Sequence, residues 1–320
     1  MFRSINMDIL DDIFKQADLK RKILNQRSIY ETLTLRFPCN RSIGFHVVTQ
    51  GETFLHLDNQ KEPLQLKRGD IALMARGFNH YMSTESKLSA RDLKAAPSVD
   101  AIEPIKPKKN VAPKTTLVSG AYQLWNDPLH PFFKELPEIY VLRNEEIESF
   151  GPIQAVLTML SKEAAEPQMG SAIVIQNLMD ITFSFIIRKI VENKSSKPKT
   201  WSHAVHNDSV KKAIEILHAN VERDWTLDDL AKEVGLSRAG LAQKFKKHLG
   251  DTPLHYLTVI RMQRARALLS ATNDNIEAIA EAVGYSDPFS FSKVFKRITG
   301  MPPREFRNKD QNEKNMAFRY

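Results

Sequence analysis

Cysteine is nearly missing from this chain: Cys39 is the single thiol in 320 residues. One thiol excludes an internal disulfide and any cysteine-based zinc finger or iron–sulfur centre, and it suits a reducing compartment. A signal-peptide core is missing too, because MFRSINMDILDDIFKQADLK contains no apolar run. The most apolar stretch, Ala172 to Val191, is interrupted by Gln176, Asn177 and Asp180, which argues against a membrane span. The expectation is a soluble cytoplasmic protein with no membrane partner. Acid is in deficit: 38 Asp and Glu face 46 Lys and Arg, a formal charge of +8. That balance tilts toward polyanionic partners, although many enzymes are equally basic. What remains is ordinary, with 42% hydrophobic and 26% charged residues. Such a composition excludes collagen-like and disordered chains, and the length suits about two domains.

The texture changes along the chain. Residues 8–20 read as a short amphipathic helix with Ile9, Ile13 and Phe14 on one side. From Ile29 to Tyr81, short apolar or β-branched runs (YETLTLRF, SIGFHVV, TFLHL, DIALM) alternate with Gly51, Asp58-Asn59 and Gly69-Asp70, the pattern of strands joined by turns. Residues 84–116 are polar and rich in Lys, Pro and Ala, and read as a flexible insertion. Residues 117–125 and 139–143 supply further strands, with a proline-rich folded loop between them. Residues 152–192 are helical in pattern, with Ile175, Leu178, Ile181 and Phe185 at three- and four-residue spacing. That face either packs on its own domain or forms a dimer seam. NKSSKPKT (193–200) is a charged connector, and residues 208–307 are helical throughout.

The last hundred residues contain an internal repeat. LAKEVGLSRAGLAQKFKKHLGDTP from Leu230 is followed by IAEAVGYSDPFSFSKVFKRITGMPP from Ile279. At an offset of 49, Ala231, Val234, Gly235 and Ser237 match Ala280, Val283, Gly284 and Ser286; at an offset of 50, Phe245, Lys246, Gly250 and Pro253 match Phe295, Lys296, Gly300 and Pro303. In each unit the Ala allows two helices to cross closely. The Gly ends the first helix in the left-handed conformation, and the Ser or Asp caps the second. Leu241 and Phe245, like Phe291 and Phe295, form the buried face of that second helix. The product is a helix-turn-helix, whose second helix can enter the DNA major groove.

Charge follows the same division. Acids gather on the first helices (Asp224, Asp228, Asp229, Glu233; Glu277, Glu281), whereas Arg238–Leu249 and Phe289–Thr299 contain none. A surface facing phosphates is expected to lack acid. Between the units, Pro253–Leu269 reads as one helix with Leu257, Ile260, Ala265 and Leu268 inward and Arg261, Arg264 and Arg266 outward. About 17 residues at 1.5 Å each span roughly 25 Å, compatible with two successive major-groove segments about 34 Å apart.

On these residues, positions 208–307 resemble the DNA-binding domain of the AraC/XylS family of bacterial transcription regulators. The resemblance implies two helix-turn-helix units on a linker helix and binding to double-stranded DNA. Carried over by position, it implies Arg238, Ala239, Ala242 and Gln243 as outward residues of the first recognition helix. Pro288, Phe289, Ser292 and Lys293, with Ser286 before them, are those of the second. Gln243 can pair with adenine, and Arg238 or Lys293 with guanine or phosphate. Phe289 either contacts thymine methyls or packs. Lys246, Lys296, Arg304 and Arg307 suit phosphate contacts, with a structural pairing to an acid as the other role for Arg307.

Residues 42–81 resemble a cupin barrel of the kind that serves as sensor in this family, through Gly51, Gly69-Asp70 and Arg76-Gly77-Phe78-Asn79-His80. Cupin enzymes need an HxH pair, a Glu and a further His. His80 fits the last position, but no HxH pair occurs at Phe37–Asn40 and no Glu at Gly44. His46, His56 and His80 therefore read as hydrogen-bonded pocket residues, with an irregular metal site as the alternative. Candidate effector contacts are His46, Phe54, His56, Met74, His80 and Trp125. No catalytic residue, metal or cofactor is assigned.

The resulting expectation is an α+β two-domain chain. Residues 1–150 form a cupin-like β-barrel sensor with the 84–116 insertion and flanking helices. A helical dimerisation region (151–192), a linker (193–207), an all-α DNA-binding domain (208–307) and a tail (308–320) follow. The expected function is sequence-specific transcription regulation, responsive to a small-molecule effector, as a homodimer, with RNA polymerase as partner if the chain is an activator. Family resemblance favours activation. The alternative is a metal-dependent cupin enzyme with an appended DNA-binding domain.

Overall fold

Alternating apolar and polar residues build the first half of the chain, and three- to four-residue periods build the second. The computed structural model describes residues 8–17, 20–38, 42–58, 60, 62–75, 77–98, 111–123, 130–148, 151–192 and 201–317. In chain order the elements are α1 (Ile9–Ala17), β1 (Lys20–Ile29), β2 (Thr34–Phe37), β3 (Ser42–Leu57), β4 (Leu64–Lys67), β5 (Ile71–Met74), β6 (His80–Ser83), α2 (Ala90–Ala95), β7 (Thr115–Gln123), α3 (Pro131–Glu135), β8 (Ile139–Leu142), α4 (Asn144–Glu148), α5 (Gly151–Ala165) and α6 (Ser171–Glu192). They continue as α7 (Trp201–Ala204), α8 (Asp208–Ala219), α9 (Leu227–Glu233), α10 (Arg238–Leu249), α11 (Pro253–Ala271), α12 (Ile276–Ala282), α13 (Pro288–Thr299) and α14 (Pro303–Ala317). The described residues of 20–123 and 136–190 pack as one unit; those of 1–19, 124–135 and 191–320 pack as another.

The first unit is organised by β3. Its first half pairs with β5 and β7, and its second half, after Gly51, pairs with β4 and β6. The antiparallel path runs β1-β7-β3-β5-β8, with β2 joined to β6. The two ends of that path, β1 and β8, do not pair, so the expected barrel is an open sheet arrangement among the described residues. Apolar packing rather than edge closure holds it. Leu35, Val48, Leu55, Leu66, Met74 and Met82 fill one cluster at 0% exposure. Elsewhere Phe45, Tyr122 and Phe183 of α6 stack with ring centroids 4.3–6.3 Å apart. At the Gly69-Asp70 turn, Asp70 accepts from Lys67 N–H and Asn144 N–H at 3.0 and 2.9 Å and pairs with Arg143 at 2.8 Å.

Three features depart from the sequence reading here. β1 starts at Lys20, although KRKILNQRS lacks the apolar alternation of a strand; its partner β7 supplies the backbone bonds from Lys20↔Gln123 to Ile29↔Thr115. Within 84–116, Ser89 and Asp92 form a reciprocal capping box that starts α2, and β7 already begins at Thr115. Residues 99–110 lie outside the described residues, as does most of the 193–207 linker (193–200). Finally, 151–192 is two helices. α6 is the one described helix long and apolar enough to cross a membrane, and eight of its residues, among them Ile175, Leu178 and Phe183, are buried inside the unit. Of the expected stripe, Ile175 and Leu178 face inward, while Ile181 is exposed.

The second unit is helical. α11 packs on α8, α12, α13 and α14 and joins the two halves of the repeat. Arg266, expected outside, is 2% exposed, with its guanidinium 5.4 Å from the Phe306 ring. The aliphatic stem of an arginine buries well where an aromatic face receives the head. α14 runs from Pro303 to Ala317, so the helix continues through most of the expected tail.

Two segments distant in sequence join this unit. α1 packs on α8 and α11, and α3 packs on α7, so a division of the chain at residue 150 does not describe the packing. A buried polar cluster holds them. Tyr256 Oη lies 3.1 Å from His130 Nε2, 2.9 Å from His218 Nε2 and 3.3 Å from Trp201 Nε1. Phe132 N–H donates to His130 Nδ1, which leaves the proton of that ring on Nε2. Burial, followed by the nearby His218, holds the His130 pKa well below its ordinary value, in keeping with a neutral ring. His130 and Trp201 therefore donate to Tyr256, and Tyr256 gives its one proton to His218 Nε2. The opposite edge of His218 donates from Nδ1 to the Asp12 carboxylate at 2.6 Å.

Candidate nucleic-acid interface

Each repeat folds as two helices about a glycine. Gly235 and Gly284 have φ of 71° and 81°, a conformation that a Cβ strains. The amides that follow close each first helix: Leu236 N–H bonds Ala231 O and Tyr285 N–H bonds Ala280 O, both at 2.9 Å. Ala231 and Ala280 are 2% and 0% exposed, as their role at the crossing requires. Ser237 Oγ then accepts from Gly240 N–H at 3.1 Å to start α10. In the second unit the extra residue moves the cap from Ser286 to Asp287, which accepts from Phe289 and Ser290 N–H at 3.1 and 2.9 Å. The Ser290 hydroxyl, which also donates to this carboxylate, and then these backbone bonds hold the Asp287 carboxyl below the usual carboxylate range.

Burial then gives each second helix two faces. Leu241, Phe245, Phe291 and Phe295 are all 0% exposed, whereas Arg238, Ala239, Gln243, Lys246, Phe289, Lys293 and Lys296 are exposed. The described residues thus carry two acid-free helices, each anchored by a buried apolar face and each presenting cationic side chains to solvent, with the Gln243 amide beside them on α10.

Family models match nearly the whole chain: a cupin family over residues 8–192 and a helix-turn-helix domain over residues 230–309. Several curated relatives match along nearly their full length and are described as transcription regulators. One from Streptomyces lividans, described as an AraC-like transcription regulator, is 26% identical over 94% of this chain and 98% of its own. The chain is an AraC-type, cupin-containing transcription regulator. The HTH-type transcriptional regulator MtrA of Neisseria gonorrhoeae is likewise 26% identical, over 94% of this chain and 98% of that one. The lactose operon transcription activator of Staphylococcus xylosus is 34% identical over 44% of this chain and 52% of its own.

Within this AraC-type framework the reading residues fall as follows. Ala242 and Ser292 are half-buried on the flanks of α10 and α13, and Arg304 is exposed in the first turn of α14. Arg238 lies 3.5 Å from Asp228 of α9, both well exposed, so the pair contributes little to stability. Ser286 lines a groove with Glu222, Asp224, Glu277 and Glu281, on the acidic side of the second unit. Arg307 is structural, but its partners are the carbonyls of Leu269 and Asp274, at 3.4 and 2.6 Å, rather than an acid. Arg261, expected to face outward, bridges to the Val221 and Arg223 carbonyls, both at 2.8 Å, a long-range contact that no local pattern signals. That contact ties the linker helix to the turn before α9.

Of the candidate effector residues, the fold brings two together. His46 and His80 are buried with their Nε2 atoms 2.6 Å apart. His46 Nδ1 lies 2.6 Å from Ser119 Oγ, and His80 Nδ1 lies 3.3 Å from the Phe78 carbonyl. A carbonyl only accepts, so the His80 proton sits on Nδ1 and the chain of donation runs Ser119→His46→His80→Phe78. Burial pushes the His80 pKa down to about 4 and holds His46 well below its ordinary value, with His80 adding to the second effect. Phe37, which the sequence did not single out, stacks on His80 at 5.3 Å and meets His46 edge-on at 4.6 Å. His56 donates elsewhere, to the Glu85 carbonyl at 3.1 Å. Met74 belongs to the apolar cluster and Phe54 is half-buried; Trp125 lies outside the described residues. Among the described residues no three metal-ligating side chains converge.

Proposed function

We propose that this AraC-type regulator reads its operator through α10 and α13. Arg238, Ala239, Ala242 and Gln243 face bases from the first helix, and Ser292 and Lys293 face them from the second, with Phe289 beside them. Lys246, Lys296 and Arg304 hold phosphates. The observation that carries this reading is the two-faced burial of both helices. Aromatic residues at 0% exposure fix each rod, so the opposite face is presented without rearrangement. Gln243 is suited to adenine, and Lys293 to guanine or phosphate.

The cupin unit acts as the sensor of a small molecule. The half of the fold around His46, His80 and Phe37 combines an apolar wall with a few convergent polar groups, as ligand sites do. A second copy pairs through the exposed apolar residues Met159, Ile173, Val174 and Ile181 of α5 and α6, which are 44–65% exposed. Effector binding shifts the arrangement of the two units by its differential affinity. The protein works in the cytoplasm and contacts RNA polymerase as an activator; the activator named among its relatives supports that sign of control.

The test is the double variant Gln243→Ala, Lys293→Ala. Binding to a duplex selected by the intact chain is expected to fall at least tenfold more than binding to random DNA. An equal loss on both would show that these side chains do not read bases.

A further inference from the structure

The reading face of α13 contains one large apolar side chain that electrostatics and amide chemistry do not use. Phe289 is 86% exposed, and among the described residues it is the only aromatic ring left so far in water. A ring held in solvent gains nothing in the free protein, so its burial is available only on binding. Its place is fixed. It is the second residue of α13, after Pro288, and its amide is held by Asp287 at 3.1 Å. One turn further on the same face stands Lys293, also exposed, on a helix without an acid. The neighbours Pro288 and Ser290 line the acidic groove with Glu277 and Glu281, and Phe289 and Lys293 do not. A polyanion is repelled from the groove side and admitted on the side of the ring.

The repeat assigns the same job to its other half. An offset of 50 places Ala239 at the position of Phe289 and Gln243 at that of Lys293. Each reading helix thus presents an apolar residue and, four residues later, a polar one. The apolar group that a B-DNA major groove offers to such a side chain is the C5-methyl of thymine.

We infer that Phe289 is a specificity-determining residue that selects thymine in the half-site read by α13, by packing its ring on the pyrimidine methyl, with Ala239 making the smaller equivalent contact in the other half-site. The inference rests on the DNA-reading role proposed for α13 and adds the identity of one base.

The experiment uses the full chain. Duplexes are selected from a random-sequence pool, and each thymine of the selected site is replaced singly by deoxyuridine, which removes one methyl and leaves pairing intact. For the intact chain, one position or two adjacent positions in one half-site are expected to lose about fourfold in affinity per methyl, the value of one buried methyl group. Phe289→Ala is expected to bind the thymine duplex at least fivefold more weakly and to be indifferent to the same replacements. Phe289→Leu is expected to retain the preference. An unchanged melting temperature checks that these surface variants fold. Persistence of every thymine preference in Phe289→Ala would overturn the inference. So would a loss shared equally by selected and random DNA, which marks a wedge without base choice, and so would unaltered DNA affinity, which marks a protein contact. A chain that selects no sequence from the pool would remove the underlying DNA reading together with the inference.

Discussion

Replacing Tyr256 by Phe removes one oxygen and leaves the shape of the core intact, so the result isolates hydrogen bonding. Tyr256 is 1% exposed and its hydroxyl serves three partners, on α7, on α8 and just before α3. Without it, the Trp201 and His130 N–H groups and the His218 Nε2 acceptor are left without that partner in a site water does not reach. Each such group costs about 1–3 kcal/mol. The Trp201 bond, at 3.3 Å, is the longest of the three and is counted at the low end. The expected loss is about 4 kcal/mol, reduced to about 3 if the histidines reorient. Denaturation of the intact chain in urea measures it, followed by the fluorescence of Trp201, which lies in the cluster. Asp12→Asn, which keeps an acceptor for His218 Nδ1–H, is expected to cost about 1 kcal/mol in the same assay. Because Asp12 lies on α1, its substitution should also speed proteolytic removal of the N-terminal helix. A Tyr256→Phe loss below about 1 kcal/mol would refute the donor and acceptor assignments made for this cluster.

Three further outcomes follow from the same geometry. His80 has a folded pKa near 4 against an ordinary 6.5, so the neutral form is the one that folds. Stability from this residue is complete above about pH 6.5 and is lost as pH falls toward 4, by about 3 kcal/mol; urea midpoints of the isolated first-unit transition at pH 7 and pH 5 should show the decline, and equal midpoints would contradict it. Gly284→Ala places a methyl 2.5 Å from the Glu222 carbonyl and from Arg261 at a φ of 81°, and is expected to cost at least about 2 kcal/mol, whereas Gly235→Ala, with open space around it, costs only the strain of φ, about 1 kcal/mol. Ile173→Asp with Ile181→Asp leaves the buried face of α6 untouched and is expected to convert a dimer to a monomer in sedimentation; an unchanged mass would remove that stripe as the seam.

The DNA-binding half was legible because its signals are local. A glycine that must adopt positive φ, a cap two to three residues later and a core pair four residues apart are decided by near neighbours in the chain. They occur twice, as at Gly235 and Gly284. Strand segments such as Ile71–Met74 and the Gly69-Asp70 turn were legible for the same reason. What the tertiary structure decided lies at longer range. β1 exists because β7 pairs with it, whatever the weak pattern of KRKILNQRS. Arg266 is inside because Phe306 from another helix receives it. Ile181 is outside because two stripes of α6 are apolar and only one can face the sheet. Above all, α1 and the segment around His130 belong with helices more than a hundred residues away, since Tyr256 collects hydrogen-bond partners from three separate stretches of chain and Asp12 of α1 joins them through His218. Spacing along a sequence reports which side chains share one element's face. It carries no information about which element that face will meet, because that choice is made by burial and by the pairing of polar groups across the whole fold.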